Sequence, residues 1–240
     1  MNLQDTLLQL HHVLQAAAGV GRTLLPPKPD DSHTSFTWSP KHGALVQDCV
    51  DGRFRSGLRF SDLTLLLIDK DDRVTDSYPL RGRTLNDAFR FYEERVGKML
   101  VRPGEGLPAH AVENGACFTA MDDCLATLAS MYGQAATILE RLREKHPTAS
   151  PVRAWPHHFD IATLIPLPEE RSIGVGFLGG DANIPEPYWY VYVTPIPENT
   201  LPTLSIGRWY AGAWMGAVLT GTHADADIER FLDETIAALV

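Results

Sequence analysis

Two adjacent histidines and an aspartate interrupt an apolar run in RAWPHHFDIATLI, residues 153 to 165. If residues 157 to 165 form a strand, alternation places His158 and Asp160 on one face and His157 on the other. An imidazole beside a carboxylate is held in one tautomer and suits a general base, and both side chains also ligate divalent metals. The spacing therefore predicts His158 and Asp160 as a catalytic pair.

A metal centre at this pair needs more ligands, because a catalytic zinc normally has three protein ligands. The additional ligands would come from His42, Asp181 or Glu186, whose positions in space the sequence leaves open, so the metal and any cofactor stay unassigned. The alternative interpretation is a buried Asp160 that accepts backbone N–H bonds where the strand begins, with His158 as its partner or exposed to solvent.

The segment GVGFLG, residues 174 to 179, matches the letters of the dinucleotide-binding fingerprint GxGxxG. That fingerprint requires a helix that begins at the glycines and holds the pyrophosphate, whereas a polar stretch with two prolines, DANIPEP, follows here. Apolar residues alternate with Gly174 and Gly176, which instead predicts a strand with one bare face. Dinucleotide binding is therefore not expected at this segment.

The segment PYWYVYV, residues 187 to 193, is predicted to pair with this glycine-containing strand across the loop 179 to 186. The large tyrosine rings would then cover the glycine backbone, an arrangement known as aromatic rescue. The alternative is a shallow pocket with a glycine floor and walls of Tyr and Trp rings. Asp181 and Glu186 would lie at its mouth. The predicted ligand-binding residues of the protein are Trp155, His157, Asp181, Glu186 and Tyr188.

Composition limits the partners and the compartment. The chain has 240 residues, a formal net charge of -9, and 21 Lys and Arg residues that are scattered along it. We expect no binding to nucleic acid, which requires clustered cations, and no membrane insertion, because no apolar stretch reaches the roughly 20 residues of a span. The start of the chain also lacks a signal-peptide pattern.

The three cysteines, Cys49, Cys117 and Cys124, form no CxxC pair and favour a reducing cytoplasm.

Apolar residues at helical spacing predict four helices, at residues 3–25, 85–99, 121–142 and 225–239. Thr84 with Asp87 resembles a capping box for the second helix. His11 and His12 fall on the flank and the polar side of the first helix, where we expect both to be solvated. Segments rich in Phe, Val, Thr and Leu between residues 34 and 69 predict an antiparallel meander.

These elements predict an α+β protein with antiparallel sheets flanked by helices, folded as one compact unit over residues 1–240. A stretch rich in Gly and Pro, residues 101–116, separates two similar orders of helix, strands and helix. Each order begins its strands near a Trp, a Pro and a His, at residues 38–42 and 155–157. We therefore predict tandem halves, 1–112 and 113–240, that arose by internal duplication.

Several short motifs follow one another in a definite order: Leu10-His11, Ser150-Pro151-Val152, Trp155, FDIA at 159 to 162, Gly176-Phe177 and PEPY at 185 to 188. In this order they resemble a family of uncharacterised bacterial proteins with a domain of unknown function. The chain departs from that pattern at residues 166–169, where Pro-Leu-Pro-Glu replaces an expected Arg-Phe-Ser-Gly run. The resemblance implies a shared fold over most of the chain and carries no activity that could be transferred.

These patterns lead us to expect a protein that binds a small ligand between its halves, near Trp155, Tyr188 and the pair His158 and Asp160. One alternative is a metal- or base-assisted hydrolase that uses this pair. Another is a structural protein whose aromatic strands form a homodimer. The sequence leaves open whether the chain is an enzyme.

Overall fold

The computed structural model describes residues 2–48, 50, 52–104, 106–195 and 201–240. Cys49 therefore lies outside the described residues. The described chain consists of helices and antiparallel strands, so the predicted α+β class is confirmed. It divides into two compact units, one of Met1–Gly133 with Ala154–Phe159 and one of Gln134–Arg153 with Asp160–Val240. We call them unit 1 and unit 2. The internal duplication stays a prediction.

Unit 1 begins with helix α1 (Leu3–Leu24), whose N-terminus is capped by the Asn2 side chain, which accepts from the Asp5 backbone N–H. The helix packs on the strands and on helix α2 (Leu85–Val96). The predicted capping box of Thr84 and Asp87 is confirmed at the start of α2. Both helices thus form where apolar periodicity and capping residues agree.

His11 and His12 on α1 are buried, with 4% and 1% of their surfaces exposed, so the prediction that they are solvated is wrong. Each ring nitrogen Nε2 meets a backbone carbonyl, that of Pro156 at 2.8 Å for His11 and that of Pro108 at 2.9 Å for His12. These hydrogen bonds offset the cost of burying a polar ring. The helical pattern alone does not reveal them, because both carbonyls belong to residues far away in the chain.

The first five strands of unit 1 form the predicted antiparallel meander, and a sixth strand pairs with the first through Phe36 and Ala154. The strand order is β6-β1-β2-β3-β4-β5. The strands are β1 (Phe36–Ser39), β2 (Ala44–Gln47), β3 (Phe54–Arg59), β4 (Thr64–Asp69), β5 (Val74–Pro79) and β6 (Arg153–Trp155).

The strands of unit 2 are also antiparallel and follow the order β10-β11-β9-β8-β7. Its strands are β7 (Asp160–Pro166), β8 (Ser172–Leu178), β9 (Tyr188–Thr194), β10 (Arg208–Ala211) and β11 (Met215–Thr220). Helix α4 (Asp225–Leu239) packs on β8, β9 and β11. The boundary between the units falls within helix α3 (Asp122–Lys145), after Gly133. Among the helices of the described chain, none has both the length and the apolarity of a membrane span.

Candidate functional site

His157 and His158 lie in a turn, not in a strand. The turn spans residues 156–159, which we call the His-His turn, and β7 begins only at Asp160. Phe159 has a φ of 59°, in the left-handed region, and its backbone N–H donates to the Trp155 carbonyl at 2.7 Å. Alternation holds only in extended backbone, so the inference that His158 and Asp160 share one strand face is wrong. The two residues belong to different units.

Asp160 is a buried carboxylate, 7% exposed, at the first position of β7. Its Oδ2 accepts a hydrogen bond of 2.5 Å from the Tyr190 hydroxyl on β9. Burial and then the adjacent Asp160 raise the pKa of Tyr190 well above its usual value, so the phenol stays protonated and donating. Asp160 is thus buried and hydrogen-bonded where β7 begins, as in the alternative interpretation, but the donor is the Tyr190 hydroxyl, which that interpretation did not include.

The glycine strand and the tyrosine strand pair as predicted. Gly174 lies opposite Tyr192 and Gly176 opposite Tyr190 in the β8–β9 register. A Cβ atom at Gly174 would overlap the Tyr192 ring, and one at Gly176 would overlap the Tyr190 hydroxyl. Aromatic rescue is therefore confirmed, and the rings fill the space of the alternative glycine-floored pocket.

Asp181 and Tyr188, two predicted ligand-binding residues, contact each other in unit 2. The Tyr188 hydroxyl donates to Asp181 Oδ2 at 2.8 Å, and Asp181 Oδ1 accepts from the backbone N–H groups of Asn183 and Ile184, both at 2.7 Å. Asp181 thereby shapes the loop before β9, while Glu186 is exposed on that loop. The side chain of Asp181 is thus committed to its own loop.

His42, predicted as a further ligand, lies in the β1–β2 turn, and its Nε2 is 3.1 Å from Oδ1 of Asp72 in the β4–β5 turn. Within the ranges that the structure describes, no three His, Cys, Asp or Glu side chains are grouped to hold a metal ion.

The remaining predicted residues lie in unit 1, beside a cleft of about 440 Å³. His157 and His158 border this cleft, and the Trp155 ring lies 6.0 Å from the His157 ring. The sequence interpretation missed the other residues that line it, which include Gln15, Arg22, Asp31 and His33. We call this space the Arg22 cleft.

Arg22, in the last turn of α1, is half-buried and carries the positive charge of the cleft. Its Nη2 donates to Gln15 Oε1 at 2.6 Å, and Nη1 donates weakly to the Gln15 carbonyl at 3.4 Å. Burial lowers the pKa of Arg22 to about 10, partly offset by Asp31, so the guanidinium stays charged at neutral pH. Among the described residues, no carboxylate lies within 4.0 Å of it.

A hydrogen-bonded framework holds the His-His turn against α1. The Pro156 carbonyl accepts from Gln15 Nε2 at 2.6 Å and from His11 Nε2 at 2.8 Å. Burial lowers the pKa of His11 to about 4, so the ring is neutral near pH 7, and its proton resides on the donating Nε2. Positions 11, 15 and 22 lie on one face of a helix. Three polar residues on one face of an otherwise apolar helix were the sequence signal that could have indicated this site.

The imidazoles at the cleft differ in their roles. His33 is buried, and its Nδ1 accepts from the Lys28 backbone N–H at 3.2 Å, so Nε2 is the ring nitrogen that carries a proton. Partial burial, and then the neighbouring His158, lower the pKa of His157. The cleft thus places imidazole rings beside the Arg22 cation, with the Asp31 carboxylate in the same lining, and its cationic side is suited to an anion.

Comparison of the chain with family models, with curated proteins and with solved structures gives no match.

Proposed function

We propose that this protein binds a small anionic molecule in the Arg22 cleft. The observation that carries the proposal is the half-buried guanidinium of Arg22, which borders the cleft and has no carboxylate within 4.0 Å among the described residues. Burying a charge is costly unless a partner compensates it, and an anion in the cleft would be that partner.

The chemistry of the cleft favours an oxyanion. A guanidinium presents five N–H donors in a plane that matches carboxylate and phosphate oxygens, and the hydrogen bonds to Gln15 leave the other donors for a ligand. The Nε2–H of His33 and the rings of His157 and His158 add donors around the same space. Carboxylates and phosphates are therefore the ligand classes we propose.

The test is a titration of the full chain with phosphate, sulfate and acetate at constant ionic strength, followed by NMR or calorimetry. Arg22→Gln removes the charge and should abolish binding, whereas Arg22→Lys keeps the charge without the planar donors and should weaken it. Arg90→Gln is the matched control, because Arg90 is an exposed arginine of α2 that lies 3.7 Å from Asp87. Equal anion affinity in wild type and Arg22→Gln would contradict the proposal.

Two other functions stay predictions. Metal analysis of the purified protein addresses the metal-assisted hydrolase based on His158 and Asp160, and size measurement in solution addresses the homodimer.

The cytoplasmic location is also part of this proposal. It is supported by Cys117 and Cys124, which are both free thiols.

A further inference from the structure

Asp31 is a second charged residue of the Arg22 cleft without an ion-pair partner among the described residues. It precedes a short 3₁₀ turn, Ser32–Thr34, at a position where an aspartate often caps the following backbone N–H groups. Here the carboxylate makes no such hydrogen bond, and it is exposed. The side chain is therefore not used to stabilise its own turn.

The backbone of Asp31 is nevertheless firmly held. Its N–H donates to the Lys28 carbonyl at 3.0 Å, and its carbonyl accepts from the backbone N–H and the hydroxyl of Thr34, both at 2.9 Å. Its φ of 55° lies in the left-handed region, which few residues other than Gly, Asn and Asp adopt. The fold thus fixes the point from which the carboxylate extends.

Arg22 and Asp31 are near enough for the carboxylate to raise the pKa of the guanidinium, yet they form no ion pair within 4.0 Å. Both line one cleft of about 440 Å³. A simple anion would be attracted by Arg22 and repelled by Asp31. A molecule that carries both a negative and a positive charge would be attracted by both residues.

We infer that the ligand of the cleft is a zwitterion of the amino-acid class, with its carboxylate on Arg22 and its ammonium group on Asp31. The inference rests on the proposed anion site and adds the second charge of the ligand. Leu107 and Pro156 supply apolar surface for the carbon chain between or beyond the two charged groups.

The experiment compares two matched series by NMR or calorimetry at constant ionic strength. One series is glycine, 3-aminopropanoate, 4-aminobutanoate and 5-aminopentanoate, and the other is the four carboxylates that lack the amino group. We expect at least one amino acid to bind about tenfold more tightly than its carboxylate analogue, the order expected for one partly screened charge pair. The best chain length then reports the spacing of the two protein charges.

Three variants separate the contributions. Asp31→Asn keeps a residue that tolerates positive φ and should remove the preference for the amino acids, while Arg22→Gln should remove binding of both series. Asp71→Asn, in the exposed β4–β5 turn, is the control for a lost surface carboxylate and should change neither. Thermal unfolding of each variant verifies that it is folded.

The outcomes are distinguishable. If carboxylates bind in an Arg22-dependent manner and as tightly as the amino acids, the zwitterion inference is overturned and the anion site stands. Hydroxy acids of matched length that bind as tightly as the amino acids would also overturn it, because Asp31 would then select a hydrogen-bond donor and not a charge. If neither series binds, the zwitterion inference fails, and the separate phosphate and sulfate titration decides whether the anion site stands.

Discussion

The carboxamide of Gln15 holds the guanidinium of Arg22, with a distance of 2.6 Å between Gln15 Oε1 and Arg22 Nη2. The other end of the same amide donates to the Pro156 carbonyl at 2.6 Å. An amide is neutral, so it orients the guanidinium without neutralising it. Gln15 thereby links the cation of the cleft to the turn that carries His157 and His158.

Gln15→Glu should weaken anion binding in the Arg22 cleft. The new carboxylate would pair with Arg22 and repel an anion through one unit of negative charge. At a separation of about 4 Å this repulsion is about 1–4 kcal/mol, which corresponds to a loss of affinity of about fivefold or more. Phosphate titration followed by NMR measures the effect.

Gln4→Glu is the control, because it adds the same charge to α1 eleven residues earlier, about 16 Å along the axis. Similar losses in both variants would indicate a general effect of net charge and contradict the local interpretation.

His11 should make the protein less stable as the pH falls from 6.5 towards 4. The folded state holds the neutral ring with a pKa of about 4, while the unfolded chain protonates it near 6.5. The unfolded state therefore binds more protons within this window. The stabilisation that comes from the neutral ring is complete above pH 6.5, and acidification to pH 4 removes about 3 kcal/mol of it.

Urea unfolding at several pH values tests this against His11→Gln, whose amide nitrogen can still donate to the Pro156 carbonyl but does not titrate in this range. His12 and His157, whose pKa values are also lowered, are present in both proteins and cancel in the comparison. Parallel stability curves from pH 7 to 4 would contradict the assignment to His11.

Tyr190→Phe should destabilise the protein by about 1–3 kcal/mol, because it removes the hydroxyl that donates to the buried carboxylate of Asp160. Tyr192→Phe is the matched control on the same face of β9, and we expect a change within about 0.5 kcal/mol. Chemical denaturation measures both. If Tyr190→Phe is as mild as Tyr192→Phe, the hydrogen bond to Asp160 contributes little to stability.

Gly174→Ala should destabilise the sheet of unit 2 by about 1–3 kcal/mol, because the new methyl group overlaps the Tyr192 ring. The same substitution should cost less in a Tyr192→Ala background, where the overlapping ring is absent. Gly104→Ala, which meets no atom within 4 Å, is the control. An equal cost of Gly174→Ala in both backgrounds, measured by denaturation, would show that the ring is not the cause.

Local patterns predicted most of the fold. The four helices and the meander follow from apolar periodicity, and the capping box marks the start of α2. The pairing of Gly174 with Tyr192 also followed from sequence, because strand alternation and complementary side-chain size are visible in two neighbouring segments. Each of these features depends on residues close together in the chain.

The candidate site was only partly predictable. His157 and His158 were identified, but the left-handed Phe159 ends the alternation that joined His158 to Asp160. That conformation accompanies contacts from distant residues, including the Tyr132 hydroxyl, which donates to the Phe159 carbonyl at 2.5 Å. No local pattern encodes such a contact.

The sequence by itself determined the α+β class, the helices and the strand segments, since hydrophobic periodicity and capping act over a few residues. Tertiary structure alone decided that Arg22, Asp31 and His157 border one cleft. Residues far apart in the chain meet only when packing brings their elements together, and side-chain identity does not reveal which neighbour a polar group will have. The burial of His11 and the missing ion-pair partner of Arg22 are properties of that packing.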